Sequence, residues 1–299
     1  MLWEAFGEAP GVATTTAARL IEQTAPSGMM ELVSDYAVPL PSTVLFTILG
    51  LDADAGADAP VLISWIAAAH DITQSYAIQG FGGTCAMAMR TYFDALINRP
   101  DAADRSGVLA KLVALIDQTG GLRREDVISL MCDLTLAGYL STTFLICTGL
   151  RNLLQHPDQL DQLRQRPELM PSAVEEMLRF DAPAQLVDRI VAVDTELGDV
   201  RLHPGDRLSA VLGSANHDPL AFRDPDRFNI DRNDSTQMSF SQGIHHCIGA
   251  QLARIVTPIA ISQLLELDDL AITGYPQWQT DPYLRGLTNL PLRFRRSAG

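Results

Sequence analysis

The segment Phe240 to Gly249 reads FSQGIHHCIG and gathers the residues most able to do chemistry. Gly243 permits a positive φ and so a tight turn. Cys247 follows at the mouth of an apolar stretch, to about Leu265, that reads as a helix. A thiol at a helix N-terminus is driven towards thiolate by the macrodipole and by amides aimed at the sulfur. Such a sulfur suits nucleophilic attack or ligation of a metal. A zinc site of His245, His246 and Cys247 is the competing reading. Adjacent residues rarely chelate one ion, and no second cysteine cluster completes the ligand set.

The first two thirds of the chain carry helical periodicity with few strand signals. Ala17 to Gln23 is amphipathic, and Ser42 to Leu51 is opened by Pro39 and Pro41 and closed by Gly50. Pro60 to Asp71 and Gly83 to Asn98 follow, split by a connection at Gly80 to Gly83. The run from Ile128 to Leu150 is apolar apart from Asp133 and a few hydroxyls, and Arg123 to Asp126 opens it. Such a run imitates a membrane span, but a central Asp costs about 2.5–3.5 kcal/mol there. It reads instead as the fully buried central helix of a large domain. Arg151 to Arg164 is amphipathic and breaks near His156-Pro157. After Arg179 the texture changes to short strands at Val187 to Val193, Val200 to Leu202 and Arg207 to Leu212. The expected fold is mainly α with a small β portion, a single domain over 1–299.

Composition narrows the function. The formal charge of −14 repels nucleic-acid phosphates and anionic lipid surfaces, so neither nucleic acid nor membrane is an expected partner. Cys85, Cys132 and Cys147 sit among apolar neighbours and read as small buried hydrophobes. Without a CxxC pair or a secretory leader, the expected setting is reducing and cytoplasmic. His70, His156 and His203 lack partners at ligand spacing. Asn216 to Pro219 reads as a turn closed by Asx-type bonds.

FSQGIHHCIGAQLAR resembles the haem-binding loop of the cytochrome P450 family, pattern FxxGxHxCxG. The resemblance implies haem b as cofactor, Cys247 as axial thiolate, Phe240 packed beside the sulfur and His245 on a propionate. Gly243 and Gly249 complete the loop. A thiolate suits this chemistry because its electron donation favours O–O cleavage. Further family landmarks follow in order. Glu176 and Arg179 match ExxR, whose members share a helix face, and Asp224 to Phe228 (DPDRF) matches the segment that pair engages. Arg189 resembles the strand arginine that pairs with a haem propionate, and Pro282 to Pro291 resembles the terminal hairpin whose tip reaches the substrate cavity. The family fold expected is therefore N-terminally shortened, because the match begins near Leu2 to Phe6 and the earlier helices and strands have no counterpart. Either Met1 is a false start, or this is a naturally shortened form.

Ala137 to Thr142 (AGYLST) resembles the oxygen-activation stretch, where Ala137 and Gly138 leave room over the iron. Leu140 stands where the family often has an acid, and Ser141 where it has the alcohol. Removing one general acid commonly costs about 10²–10⁴-fold, so the proton route falls to Ser141, Thr142 and the substrate. Leu140, Ala184, Gln185, Leu186 and Thr288 are the expected substrate lining, suited to a lipophilic small molecule. The resemblance implies a monooxygenase of secondary metabolism fed by a ferredoxin-type donor, which Arg254 and Arg227 would help dock. Two alternatives stand beside it: altered, peroxide-driven, dehydrogenating or rearranging haem-thiolate chemistry, and an auxiliary protein that stabilises a partner enzyme.

Overall fold

The computed structural model describes residues 2–51, 61–65, 79–116, 118, 121–232 and 237–296. The order is α1 (Ala9–Thr24), β1 (Met29–Glu31), α2 (Pro39–Leu49), α3 (Gln79–Ile97), α4 (Gly107–Val113), α5 (Arg124–Gly138), α6 (Leu140–Gln155), α7 (Pro157–Gln165) and α8 (Met170–Phe180). Then come β2 (Leu186–Ile190), β3 (Thr195–Leu197), β4 (Val200–Leu202), β5 (Arg207–Val211), α9 (Ala250–Leu265), β6 (Asp268–Ile272), β7 (Gln277–Trp278), β8 (Leu287–Asn289) and β9 (Pro291–Arg295). The mainly helical expectation holds.

Local signals account for several boundaries. Pro39 opens α2, and Gly50 closes it at φ +79 against the Ser106 carbonyl, where a Cβ would collide. Pro157 separates α6 from α7. Gly198 and Gly205, both at positive φ, turn the chain between β3 and β4 and before β5. Of the expected helix at Pro60 to Asp71, residues 61–65 are helical; the rest, His70 included, lies outside the described residues.

Two expectations are corrected. Gly80 to Gly83 is no connection: these residues lie inside α3. The central run is not one buried helix but two, α5 and α6, interrupted at Tyr139. Ser141 Oγ donates to the Ala137 carbonyl at 3.2 Å, and hydroxyls that bond back to the helix in this way bend it. Helix α5 leaves Asp133 and Ala137 exposed and buries few of its residues, while α6 is buried along most of its length. Arg124–Gln155 is the one described segment long and apolar enough to cross a membrane, and its second half forms the centre of the core.

Helix α9 packs against α1, α6 and α8. The sheets are small: β1-β9-β6, and the antiparallel pairs β2-β5, β3-β4 and β7-β8. One apolar core runs from Phe6 to Phe294.

Candidate active site

The Cys247 loop is a compact turn just before α9. Ser241 and Gly243 take positive φ of 56° and 77°. The Cys247 amide donates to the Phe240 carbonyl at 2.9 Å, and His246 Nδ1 lies 3.1 Å from the Ser241 carbonyl. Amides of Gly249 and Ala250 point at the Cys247 sulfur, as expected for a helix entrance. The expected depression of its thiol is nevertheless overturned. Crowding around the sulfur pushes the thiol up, and it outweighs those two amides and Arg254. Cys247 is still the one exposed cysteine; Cys85, Cys132 and Cys147 are buried.

Beneath the loop lies a buried polar scaffold. Arg179, 1% exposed, donates to both Glu176 oxygens at 2.7 and 2.8 Å. Its guanidinium also donates to the carbonyls of Asn216 and Pro225 at 2.8 Å and of Arg227 at 3.3 Å. Glu176 receives a third guanidinium bond, from Arg232 Nε at 3.0 Å, and the Asn229 amide at 2.8 Å. Buried charges persist only when paired and fully hydrogen-bonded, and this cluster satisfies both conditions. Asn216 ties it to the loop, receiving the Met238 amide at 2.6 Å and donating to Ser239 at 2.9 Å. Sequence reading identified the pair and the Asp224–Phe228 segment, but missed Arg232 and the linking role of Asn216. Asp218 accepts from the Leu220 amide at 2.8 Å, so the Asn216–Pro219 turn has its Asx-type bond.

Two adjoining hollows, of about 230 and 310 Å³, meet at Cys247. Ala137, Ser141, Thr142, Phe240, Cys247 and Ala253 line both. The first continues along α2 and α5 past Leu45, Leu134, Asp133 and Gly138. The second continues past Pro183, Ala184, Val187, Leu212, Leu284 and His245. The helix break therefore lies opposite the cysteine across a slot that is apolar on most sides.

A family model described as Cytochrome P450 matches residues 86–281. The chain belongs to the cytochrome P450 family. It is 33% identical over 285 residues to the biotin biosynthesis cytochrome P450 of Bacillus subtilis (strain 168), covering 93% of this chain and 71% of that protein. It is 36% identical over 278 residues to the cytochrome P450 monooxygenase PikC of Streptomyces venezuelae, covering 91% of this chain and 65% of PikC. Among solved structures, P450BioI in complex with hexadec-9Z-enoic acid-ligated acyl carrier protein superposes with a TM-score of 0.91 at 31% identity, over 97% of this chain and 75% of that one. The cofactor of a cytochrome P450 is haem, and the reaction class is that of a monooxygenase, an oxidoreductase fed by a redox partner.

The residues present fit haem. An exposed sulfur capped by two amides faces an apolar slot, and small side chains stand across it. Cys247 would hold the iron, Phe240 and Ala253 would flank the ring, and His245 lines the slot where a propionate could be met. Bound there, the haem supplies activation of O2 and transfer of one oxygen atom.

Several expected site residues stand elsewhere. Arg189 lines neither hollow; its guanidinium donates to its neighbour's carbonyl at 2.8 Å, although it shares the strand face of Val187, which does line the slot. Leu140 packs on the core, because the break at Tyr139 turns it away from the slot. Gln185 donates to the Ala182 carbonyl at 2.6 Å, Leu186 is paired with Val211 in the sheet, and Thr288 is exposed on β8. Of the five expected lining residues only Ala184 faces the slot, and Leu284 takes the hairpin position assigned to Thr288. Gly138 leaves room less for a ligand than for Leu45, whose methyls lie 2.8 Å from where its Cβ would stand. Arg254 is no free docking charge: it pairs with Glu175 at 2.6 and 3.0 Å and lies 4.5 Å over the Phe240 ring. Burial opposes the Glu175 charge, yet Arg254 and Gln237 hold its carboxyl below the ordinary range.

Proposed function

We propose that this chain inserts one atom of O2 into a lipophilic small molecule of secondary metabolism, with electrons from a ferredoxin-type donor, acting as a single domain over 1–299. The observation that carries the reading is the convergence of both hollows on the Cys247 sulfur, between its capping amides and the helix break. Leu145, Leu178, Pro183, Ala184, Val187, Leu212 and Leu284 make the second hollow apolar, which suits a substrate held by burial rather than by charge. The likeness to P450BioI, solved with a fatty-acyl carrier protein, supports a lipophilic occupant. The continuous core from Phe6 to Phe294 supports a single domain.

Protons are handled by two hydroxyls. Ser141 and Thr142 both line the slot opposite Cys247, and Ser141 Oγ is held by its bond to the Ala137 carbonyl. That bond uses the hydroxyl hydrogen, so Ser141 presents its lone pairs to a water or a substrate hydroxyl, which supplies the proton. Leu140 adds nothing to this route. One second reading stands beside this one: peroxide-driven turnover, motivated by the leucine that the sequence carries at 140 where the family often has an acid.

The test is twofold. The reduced, carbon-monoxide-bound protein should show the strongly red-shifted Soret band of thiolate ligation. Turnover of a lipophilic panel under ¹⁸O₂, with reduced ferredoxin, should then place one labelled atom in the product. Product formed only with peroxide selects the second reading. A folded protein that takes up no haem defeats both and points to the auxiliary role.

A further inference from the structure

Trp278, on β7, is stacked by two guanidiniums: Arg285 at 4.3 Å and Arg151 at 5.0 Å from its ring centre. Arg285 Nε also donates to Asp181 at 2.7 Å, and Asp181, 5% exposed, is held from its other oxygen by Asn152 at 2.8 Å. Arg151 comes from α6 and Asp181 follows α8, so this cluster ties the terminal hairpin to two of the helices that contribute to the slot. Burial pulls the Arg151 guanidinium down, with Asp181 opposing and Arg285 adding to the effect. The three charges therefore act on one another.

The clamp has a direct geometric output. The Gln185 amide donates to the Tyr283 carbonyl and the Arg285 amide to the Pro183 carbonyl, each at 2.8 Å, with Ala184 bridged to Leu284 between them. Ala184 and Leu284 are the two side chains from this bridge that line the hollow beside Cys247. On the far side a Cβ at Gly286 would overlap the Phe144 ring, so the tip is seated against α6 next to Leu145, another lining residue. Leu284 thus stands one residue from a charge pinned to a buried carboxylate.

We infer that Arg285 is a positioning residue that sets the width of the hollow beside Cys247, by fixing Leu284 through Asp181 and Trp278. Arg285 touches neither hollow, and its side chain is 46% exposed. It acts through the backbone of the tip. Loss of the clamp lets the tip move away from Pro183–Gln185 and widens the slot for bulky ligands while leaving small ones unaffected. This rests on the reading of the slot as the haem and substrate site.

The haem-loaded protein is titrated with imidazole and with 4-phenylimidazole, two ligands of the iron that differ in bulk, following the Soret band. In R285Q the ratio of the two dissociation constants is expected to change roughly 2- to 30-fold, the range by which residues remote from a ligand modulate a site. R285K, which keeps the charge but not the planar fork, should fall between R285Q and wild type. D181N/R285Q should match R285Q, since both substitutions undo one device. If R285Q takes up no haem, W278F carries the same expectation. An unchanged ratio in R285Q, or additive changes in the double variant, overturns the role of Arg285. If L284A shifts the ratio and R285Q does not, the tip lines the hollow and the clamp does not set it. Failure of wild type to shift its Soret band with imidazole would instead defeat the underlying reading of the slot.

Discussion

Arg179→Ala tests the buried scaffold directly. The substitution removes a guanidinium whose partner Glu176 is as deeply buried, each side chain being 1% exposed. Deleting one member of a buried pair costs about 3–5 kcal/mol, because the survivor keeps a charge without its counter-ion. Here Glu176 retains Arg232 at 3.0 Å and the Asn229 amide at 2.8 Å, which sets this part near the lower limit. The carbonyls of Asn216 and Pro225 lose their donor as well, while that of Arg227 keeps Arg232 at 2.9 Å, and each buried group left unsatisfied costs at least about 1 kcal/mol. A loss of about 5 kcal/mol follows, a large part of the roughly 5–15 kcal/mol that holds a domain together. Unfolding entropy of about 2.1 cal/mol/K per residue over 299 residues makes each kcal/mol worth about 1.6 °C in melting temperature. The variant should therefore melt about 8 °C lower by calorimetry, at matched haem occupancy. Arg99→Ala is the control: its pair with Asp101 is 42% and 54% exposed, worth under about 1 kcal/mol. Melting of Arg179→Ala within about 2 °C of wild type would refute the reasoning.

Three further outcomes are expected. Cys247→Ser should lose the red-shifted band of the reduced carbon-monoxide complex while the protein without haem melts normally, since the side chain is exposed; retention of that band would remove Cys247 as ligand. Gly50→Ala forces an L side chain to φ +79 against the Ser106 carbonyl; overpacking of this kind costs about 1–3 kcal/mol, and calorimetry should show a lower melting point with the haem spectrum intact. Asp188 accepts from Ser209 at 2.5 Å and from the Tyr283 hydroxyl at 2.9 Å, bonds that hold its carboxyl below the ordinary range. A depressed folded value means that its stabilisation is full above the unfolded pKa of about 3.9 and is lost as pH falls through the folded one. Carboxyl ¹³C NMR should find Asp188 titrating below that reference, and a value at or above it would sink the assignment.

What could be read from the chain divides by sequence distance. The Cys247 loop, the Glu176–Arg179 pair and the Pro39 and Gly50 ends of α2 are local patterns, each readable within a few residues. Arg232 lies 56 positions from Glu176 and Asn216 lies 37 from Arg179, and no local rule announces either contact. The break at Tyr139 escaped because its flanks are as apolar as an unbroken helix. Leu284 escaped because a hairpin tip shows its place only once the bridge to Ala184 is known. Arg254 shows the limit of charge reading: its cation is committed to Glu175, which lies in another helix.

The interruption at Tyr139 also divides the protein into regions of different opening free energy. Of the 15 residues in α5, 5 are buried, against 11 of the 16 in α6. Backbone amides of α6 should therefore exchange with solvent deuterium more slowly than those of α5, whose fewer buried contacts favour local opening. The wall opposite Cys247 thus stands where a deeply buried helix meets a partly exposed one. The slot should then breathe more readily on its α5 side than on its α6 side.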